Sequence, residues 1–313
     1  MESGPECRSA DKNLFSVEFT ENIVAKTRVF RLDKQRLLRY NKIDENVYGI
    51  YGFRRKTMIT TVLFDLGGTL HSVIRKADSM PRFAERLIRR LSDYGIMLDT
   101  TPEALAVSLH ENAEAYKHES ERTKTELPAV RIWNDWYLKE FHIGEERLAP
   151  IAEELSFLYD YDRLTLMRKP RLKETIETLH EQGYRMGVVS NIISTSLVPH
   201  MLNEYGIAQY MECIVMSSAV GFRKPDPRIF EIAMEQMGVT AEETCYVGDT
   251  ISRDVIGAKN AHLGLVVRLN NPSIAHRDAA FQGADVPKAD VVISELYELP
   301  DILRSFNRQY NHQ

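Results

Sequence analysis

Residues 58–70 read MITTVLFDLGGTL: an apolar run from Thr61 to Phe64, a carboxylate at Asp65, then a turn on two glycines. A short apolar run bounded by turn formers has the character of a buried strand. In open α/β folds the carboxyl ends of such strands carry the functional sites. Three later stretches repeat the pattern in order. Ser190 closes the run Met186 to Val189 in GVVSN, Lys224 follows the run Cys213 to Met216 and lies in GFRKPDP, and Asp249 follows the run Thr244 to Val247 in YVGDTISRD, five residues before Asp254. Each of these side chains is therefore expected at, or just beyond, the end of its own strand. Together they suit phosphoryl transfer, which needs a nucleophile, groups that neutralise the equatorial oxygens, and a cation that brings two anions together.

The remaining pattern supplies the architecture. From Pro170 onward helical and strand-like segments alternate: helices at Pro170–Gln182, Leu197–Tyr205, Pro227–Met237 and Arg253–Ala261 separate the strands already named, and Gly264–Leu269 and Asp290–Ile293 add two more. Such alternation predicts an α/β fold with a doubly wound, mostly parallel sheet of five or six strands covered on both faces. Between the first and second stretches, His71 to Arg168 reads as helices. Met80, Phe83, Leu87, Ile88, Leu91 and Tyr94 recur at helical spacing, with Ser79 as a cap and Gly95 just beyond. Thr101-Pro102 opens a second helix bearing Leu105, Leu109 and Tyr116. Val130, Trp133, Trp136 and Tyr137 suggest a third, and Leu148, Ile151, Leu155, Leu158 and Tyr159 a fourth. Apolar stripes of this kind are expected to pack as a core.

Composition excludes several classes. With 313 residues and 43% apolar content the chain can bury a full core, its net charge of −5 offers no field for nucleic acid, and no apolar run reaches the length of a membrane span. Cys7, Cys213 and Cys245 are few and odd in number, two of them inside apolar runs, which fits free thiols in a reducing cytoplasm. The amino terminus, MESGPECRSADKN, lacks the apolar stretch of a secretory signal. Residues 1–57 hold 12 Lys/Arg against 8 Asp/Glu, whereas the rest holds 28 against 37, so the charge balance changes sign near Met58. Two readings of 1–57 stay open. Either Met58 is the true start, or 1–57 is a genuine extension in which Phe15, Val17 and Phe19 alternate like a strand and Val29 to Tyr40 is basic and weakly amphipathic. Its interleaved charges weigh against an arm for an acidic partner.

The four stretches resemble, in content and order, the four motifs of the haloacid dehalogenase (HAD) superfamily, whose members are mostly magnesium-dependent phosphatases. The resemblance spans roughly Met58 to Asp301. Taken singly, Lys224 reads as a solvated loop lysine, Asp254 as a helix cap, and Ser190 with Asn191 as a strand-ending turn. Four motifs in order are specific where each alone is weak. The resemblance implies a Rossmann-like core at 58–70 and 169–313, an inserted helical cap at 71–168 that closes over the site and selects a small phosphorylated metabolite, and Mg2+ as cofactor. Asp65 is then the nucleophile and forms an aspartyl phosphate. Ser190 and the amides of Gly67 and Gly68 donate to phosphate oxygens, Lys224 holds nucleophile and phosphate, and Asn191 is a supporting donor. Asp65, Asp249 and Asp254 hold the metal with the Gly67 carbonyl, while Thr69 and Thr250 brace the loops.

One departure bears on mechanism. The family's phosphatases usually carry an aspartate two residues after the nucleophile as general acid/base, and here that position is Gly67. His71, Glu111 and Glu114 are the substitutes the sequence offers. Two alternatives follow. One is a carbon–halogen or carbon–phosphorus hydrolase, the latter requiring a cap lysine such as Lys76, Lys117, Lys124 or Lys139. The other is a phosphate-binding or regulatory protein with little turnover.

Overall fold

Thr61–Phe64 forms β1, buried along its whole length. The structure is a computed structural model that describes residues 57–309 apart from 282 and 284; the stretches at Phe15–Phe19 and Val29–Tyr40 lie outside the described residues. The other strands are β2 (His71–Ile74), β3 (Thr165–Arg168), β4 (Arg185–Ser190), β5 (Met211–Met216), β6 (Thr244–Gly248), β7 (Leu265–Leu269) and β8 (Val291–Ile293). Six of them make one sheet in the order β5-β4-β1-β6-β7-β8, with every neighbouring pair parallel. This is the doubly wound sheet that the alternation predicts. Strand β1 has to be apolar on both sides because both sheet faces are covered. Val62 and Phe64 pack into one cluster with Leu172, Leu197 and Leu299, and Leu63 into the other with Ile229, Phe230 and Val255. Each such side chain contributes about 1.5–3 kcal/mol by leaving water.

The register positions the site. Phe64 lies level with Val188 of β4 and Val247 of β6, so Asp65, Ser190 and Asp249 emerge together at one edge of three adjacent strands. The chain order reverses direction about β1, and such a switch point opens a crevice.

Between β2 and β3 the regular elements are helical. They include α1 (Ser79–Asp93), α2 (Pro102–Thr123), α3 (Ala129–Ile132), which continues as a π turn at Trp133–Tyr137, and α4 (Ala152–Tyr161). Phe83, Leu87 and Leu91 of α1, Leu105, Leu109 and Tyr116 of α2, and Trp133, Leu155 and Tyr159 share a core separate from the sheet's. Trp133 is fully buried because its indole N–H donates to Ser156 Oγ at 2.9 Å. Thr101 caps α2, its Oγ1 accepting from Ala104 N at 3.3 Å.

Four local expectations need correction. Ser79 is not the cap of α1 but its first residue: Asp78 precedes it at the cap position and makes no side-chain cap bond. His71–Ile74 and Thr165–Arg168, expected within a helical region, pair as an antiparallel ribbon that joins the insertion to the sheet. The fourth helix is split into Glu145–Leu148 and Ala152–Tyr161. The helix expected at Arg253–Ala261 instead opens as a π-helical turn, Ile251–Val255, which holds Asp254 and leads into α8 (Ile256–Asn260); α5 (Leu172–Glu181), α6 (Leu197–Glu204) and α7 (Arg228–Met237) come earlier and α9 (Leu299–Arg308) ends the described chain. Among the described residues no helix is long and apolar enough to cross a membrane.

Candidate active site

Lys224, only 2% exposed, is the hub of the strand-end cluster. Its Nζ donates to Asp65 Oδ1, Asp254 Oδ1 and the Tyr246 hydroxyl, each at 2.7 Å, which saturates the ammonium. A buried charge is tolerated only when paired and hydrogen-bonded, and three partners meet that demand. Asn191 holds the lysine's backbone in place: its Oδ1 accepts from Lys224 N at 2.8 Å and its Nδ2 donates to Lys224 O at 3.0 Å. The asparagine that follows Ser190 thus ties the end of β4 to the loop beyond β5.

Asp254 and Thr250 brace one another. Asp254 Oδ2 accepts from Thr250 N at 2.9 Å and from Thr250 Oγ1 at 2.5 Å, while Thr250 Oγ1 accepts from Asp254 N at 3.3 Å. Asp254 therefore serves both as a helix-start partner and as an anion beside Lys224. Burial alone would raise its carboxyl, but the Lys224 and Arg253 charges and the bonds from Lys224 and Thr250 bring it down to about 2. Asp249 is the opposite case. Burial, reinforced by the charges of Asp254 and Asp65, pushes its carboxyl up to about 7. Burial likewise raises Asp65 above the usual carboxylate range, against the pull of Lys224.

These differences show what the cluster lacks. Oxygens of Asp65, Asp249 and Asp254 lie within 4.8 Å of one another. Asp249 Oδ2 accepts from Asn271 Nδ2 at 2.7 Å, but its Oδ1 is buried with no hydrogen-bond partner among the described residues. Three carboxylates against Lys224 and the nearby Arg253 still leave an excess of negative charge. Hard oxygen donors with unmet charge fit a small divalent cation.

The glycine loop leaves room for this arrangement. Gly68 has φ +93, and a Cβ there would stand 1.9 Å from Asp249 Oδ2. At Gly67 a Cβ would meet nothing closer than Val73 Cγ2 at 3.7 Å and His71 Nε2 at 3.9 Å, so the backbone itself admits a side chain. The Gly68 amide is not available to a phosphate as expected, because it donates to the His71 carbonyl at 2.7 Å and closes the turn. His71 is buried, with Nδ1 2.9 Å from the Tyr205 hydroxyl; burial, with the Lys169 charge nearby, lowers its imidazole to about 4, which leaves it neutral near pH 7. Glu111 is exposed on α2, whereas Glu114 lines a cavity between the helices and the core. Thr69 Oγ1 is buried without a partner among the described residues, and Ser190 is buried at the end of β4.

Sequence reasoning missed three contributors. Tyr246 and Asn271 anchor Lys224 and Asp249, and Glu126 anchors the neighbouring loop. Glu126 is buried and accepts from Ser217 Oγ at 2.7 Å, from the Tyr116 hydroxyl and from Arg223. Around it, Glu126 N donates to Gly221 O at 2.9 Å and Arg223 N to Lys124 O at 2.9 Å, so a segment of the helical insertion is bonded to the strip that ends in Lys224. A lone tyrosine within an apolar strand carries no signal that separates it from core.

The family model for haloacid dehalogenase-like hydrolases matches residues 59–262, about two thirds of the chain. The chain belongs to the haloacid dehalogenase-like hydrolase family. Among relatives of this hydrolase, the glyceraldehyde 3-phosphate phosphatase of Methanothermobacter thermautotrophicus is 32% identical over 161 residues, covering 51% of this chain and 69% of the relative. That of Methanopyrus kandleri is 29% identical over 247 residues, covering 79% and 98%. The crystal structure of a 2-haloacid dehalogenase from Pseudomonas syringae pv. Tomato superposes with a TM-score of 0.53 at 22% identity, over 80% of this chain and all of that one. The last likeness shows a shared fold.

Proposed function

We propose that this hydrolase is a phosphatase acting on a small phosphorylated metabolite through a covalent aspartyl phosphate on Asp65. The observation that carries the reading is the buried cluster in which Lys224 bonds Asp65 and Asp254 while Asp249 Oδ1 has no partner among the described residues. Relatives named as phosphatases support it.

Asp65 attacks phosphorus, the ester P–O bond breaks, and the leaving oxygen takes a proton; water then cleaves the aspartyl phosphate and restores the carboxylate. Lys224 opposes the upward push of burial on the Asp65 carboxyl and aims the nucleophile, and Ser190 with the Gly67 amide offers hydrogen bonds to the phosphate oxygens. Asn191 sets the position of Lys224. Magnesium, held by Asp65, Asp249, Asp254 and the Gly67 carbonyl, would supply the positive charge that lets an anionic phosphate approach an anionic nucleophile.

With Gly67 in place of a carboxylic acid, proton transfer loses its usual agent. That costs about 10²–10⁴ in rate, or about 3–5 kcal/mol of barrier. His71 stands beside the empty position, its Nε2 3.9 Å from where a Cβ would lie, but with its imidazole lowered to about 4 it is neutral near pH 7 and suits taking a proton from the attacking water rather than giving one to the leaving oxygen. Leaving groups that need no proton, acyl and phenolic phosphates, are then favoured over alkyl phosphates.

Gly67 also favours a second reading, a phosphate-binding protein with little turnover. Carbon–phosphorus cleavage finds no support, since Lys76, Lys124 and Lys139 are exposed and Lys117 is paired with Glu114 at 2.8 Å, whereas a Schiff-base lysine needs a desolvated setting. Hydrolysis of p-nitrophenyl phosphate and acetyl phosphate, with Mg2+ or with EDTA, tests the choice. Mg2+-dependent turnover that falls by about 10³ or more in Asp65→Asn is expected; phosphate binding without turnover would overturn the phosphatase reading.

A further inference from the structure

A cavity of about 300 Å3 lies between the helical insertion and the core. It begins beside the cluster just described, because Asn191, next to Ser190, and Arg223, next to Lys224, both line it. Its volume equals that of about ten liquid waters, which suits a leaving group of a few carbons rather than a nucleotide or a peptide.

Two unmatched polar groups line this cavity. Arg223 is 7% exposed, and although its Nη1 pairs with Glu126, its Nε is buried without a partner among the described residues. Asp160 Oδ2 is buried without one as well. An unsatisfied buried donor or acceptor is costly, so both side chains mark polar demands at this seam that the described residues leave unmet. Arg163 adds a second guanidinium. It stacks on Tyr159 at 4.1 Å, its Nε donates to Tyr159 O at 3.2 Å, and no carboxylate forms an ion pair with it among the described residues. Arg75 and Lys76 are exposed along the same lining, and the remaining pair, Lys117 with Glu114, cancels. With Arg223 neutralised by Glu126 and Asp160 counted as an anion, Lys76 and Arg163 still leave cations in excess, and the planar forks of Arg163 and Arg223 match a carboxylate or a phosphate.

We propose that this cavity receives the leaving group and selects phosphate esters whose leaving group carries a second anion, a carboxylate or a second phosphate, with Arg163 and Arg223 as the recognition pair. The assignment rests on the phosphatase reading above and specifies its substrate class.

The full chain is assayed with Mg2+ on phosphoglycolate, ribulose 1,5-bisphosphate and glycerol 3-phosphate, and p-nitrophenyl phosphate reports the chemistry alone. Each anionic substrate is compared separately with glycerol 3-phosphate, whose leaving group is neutral, so the two sources of the anion are told apart. The expected result is a kcat/KM preference of about tenfold or more for at least one anionic substrate. In Arg163→Met that ratio falls by about 10–100-fold, mainly through KM, and Arg163→Lys restores part of it. Equal preference in the parent, or equal losses on every substrate, overturns the proposal. Calorimetry on Asp65→Asn, with and without Arg163→Met, keeps the two ideas separate. Binding of phosphoglycolate or the bisphosphate about tenfold tighter than glycerol 3-phosphate, lost with Arg163→Met, upholds the cavity assignment even where the parent hydrolyses nothing, an outcome that sinks only the phosphatase reading.

Discussion

Gly67 and Gly68 are adjacent, yet the fold asks different things of them. At Gly68 the left-handed backbone and the 1.9 Å approach to Asp249 exclude any side chain. Gly68→Ala is therefore expected to displace Asp249 and weaken cation binding at least tenfold by calorimetry. At Gly67 the space is open, so Gly67→Asp should raise kcat on alkyl phosphates by about 10² and affect acetyl phosphate far less. Equal gains on both would mean that proton transfer is not what the parent lacks. Asp249 adds a pH dependence. Its carboxyl, raised to about 7, holds a proton below that pH, and a cation has to displace it. Divalent-cation affinity should be flat above pH 7 and fall about tenfold per unit below it. Asp65, Lys224 and Asp249 were readable as residues because each ends or follows an apolar run; Tyr246 was not, because its hydroxyl matters only once β6 lies beside β1 and brings it 2.7 Å from Lys224 Nζ.

At the scale of elements, the strands and most helices follow from local periodicity, and the departures have local causes. The helix at Ala129–Ile132 passes into a π turn at Trp133–Tyr137, where Trp133 and Tyr137 pack edge to face with 5.0 Å between ring centroids. The ribbon of β2 and β3 was hidden because its two halves lie about ninety residues apart, and pairing across that span has no sequence period. The Lys124–Leu127 segment is similar. Nothing in KTEL announces a carboxylate, fully buried at Glu126, that neutralises Arg223 beside the candidate lysine. Breaking such a pair leaves an uncompensated buried charge, so Glu126→Ala should cost about 3–5 kcal/mol in denaturant unfolding. A cost near zero would show that the segment is not held by this contact.

At the scale of the molecule, the helices and the sheet keep separate apolar cores and meet across a polar seam that contains Asp160. Burial pushes the Asp160 carboxyl up to about 7. A folded value above the unfolded one adds stability at low pH that is lost as pH rises through about 7. Asp160→Asn should thus raise Tm more at pH 8.5 than at pH 4, and an equal shift at both would place the carboxyl in water. The sequence by itself determined the α/β class, the interruption by helices and which side chains end the central strands, because apolar periodicity and turn residues are local properties of the chain. Only the tertiary structure decided that Lys224 reaches Asp65 across 159 residues, that Asp249 keeps one oxygen without a partner among the described residues, and that Arg163, Asp160 and Arg223 line one cavity. Those relations depend on strand order, register and side-chain packing between distant segments, and no spacing within a single segment encodes them.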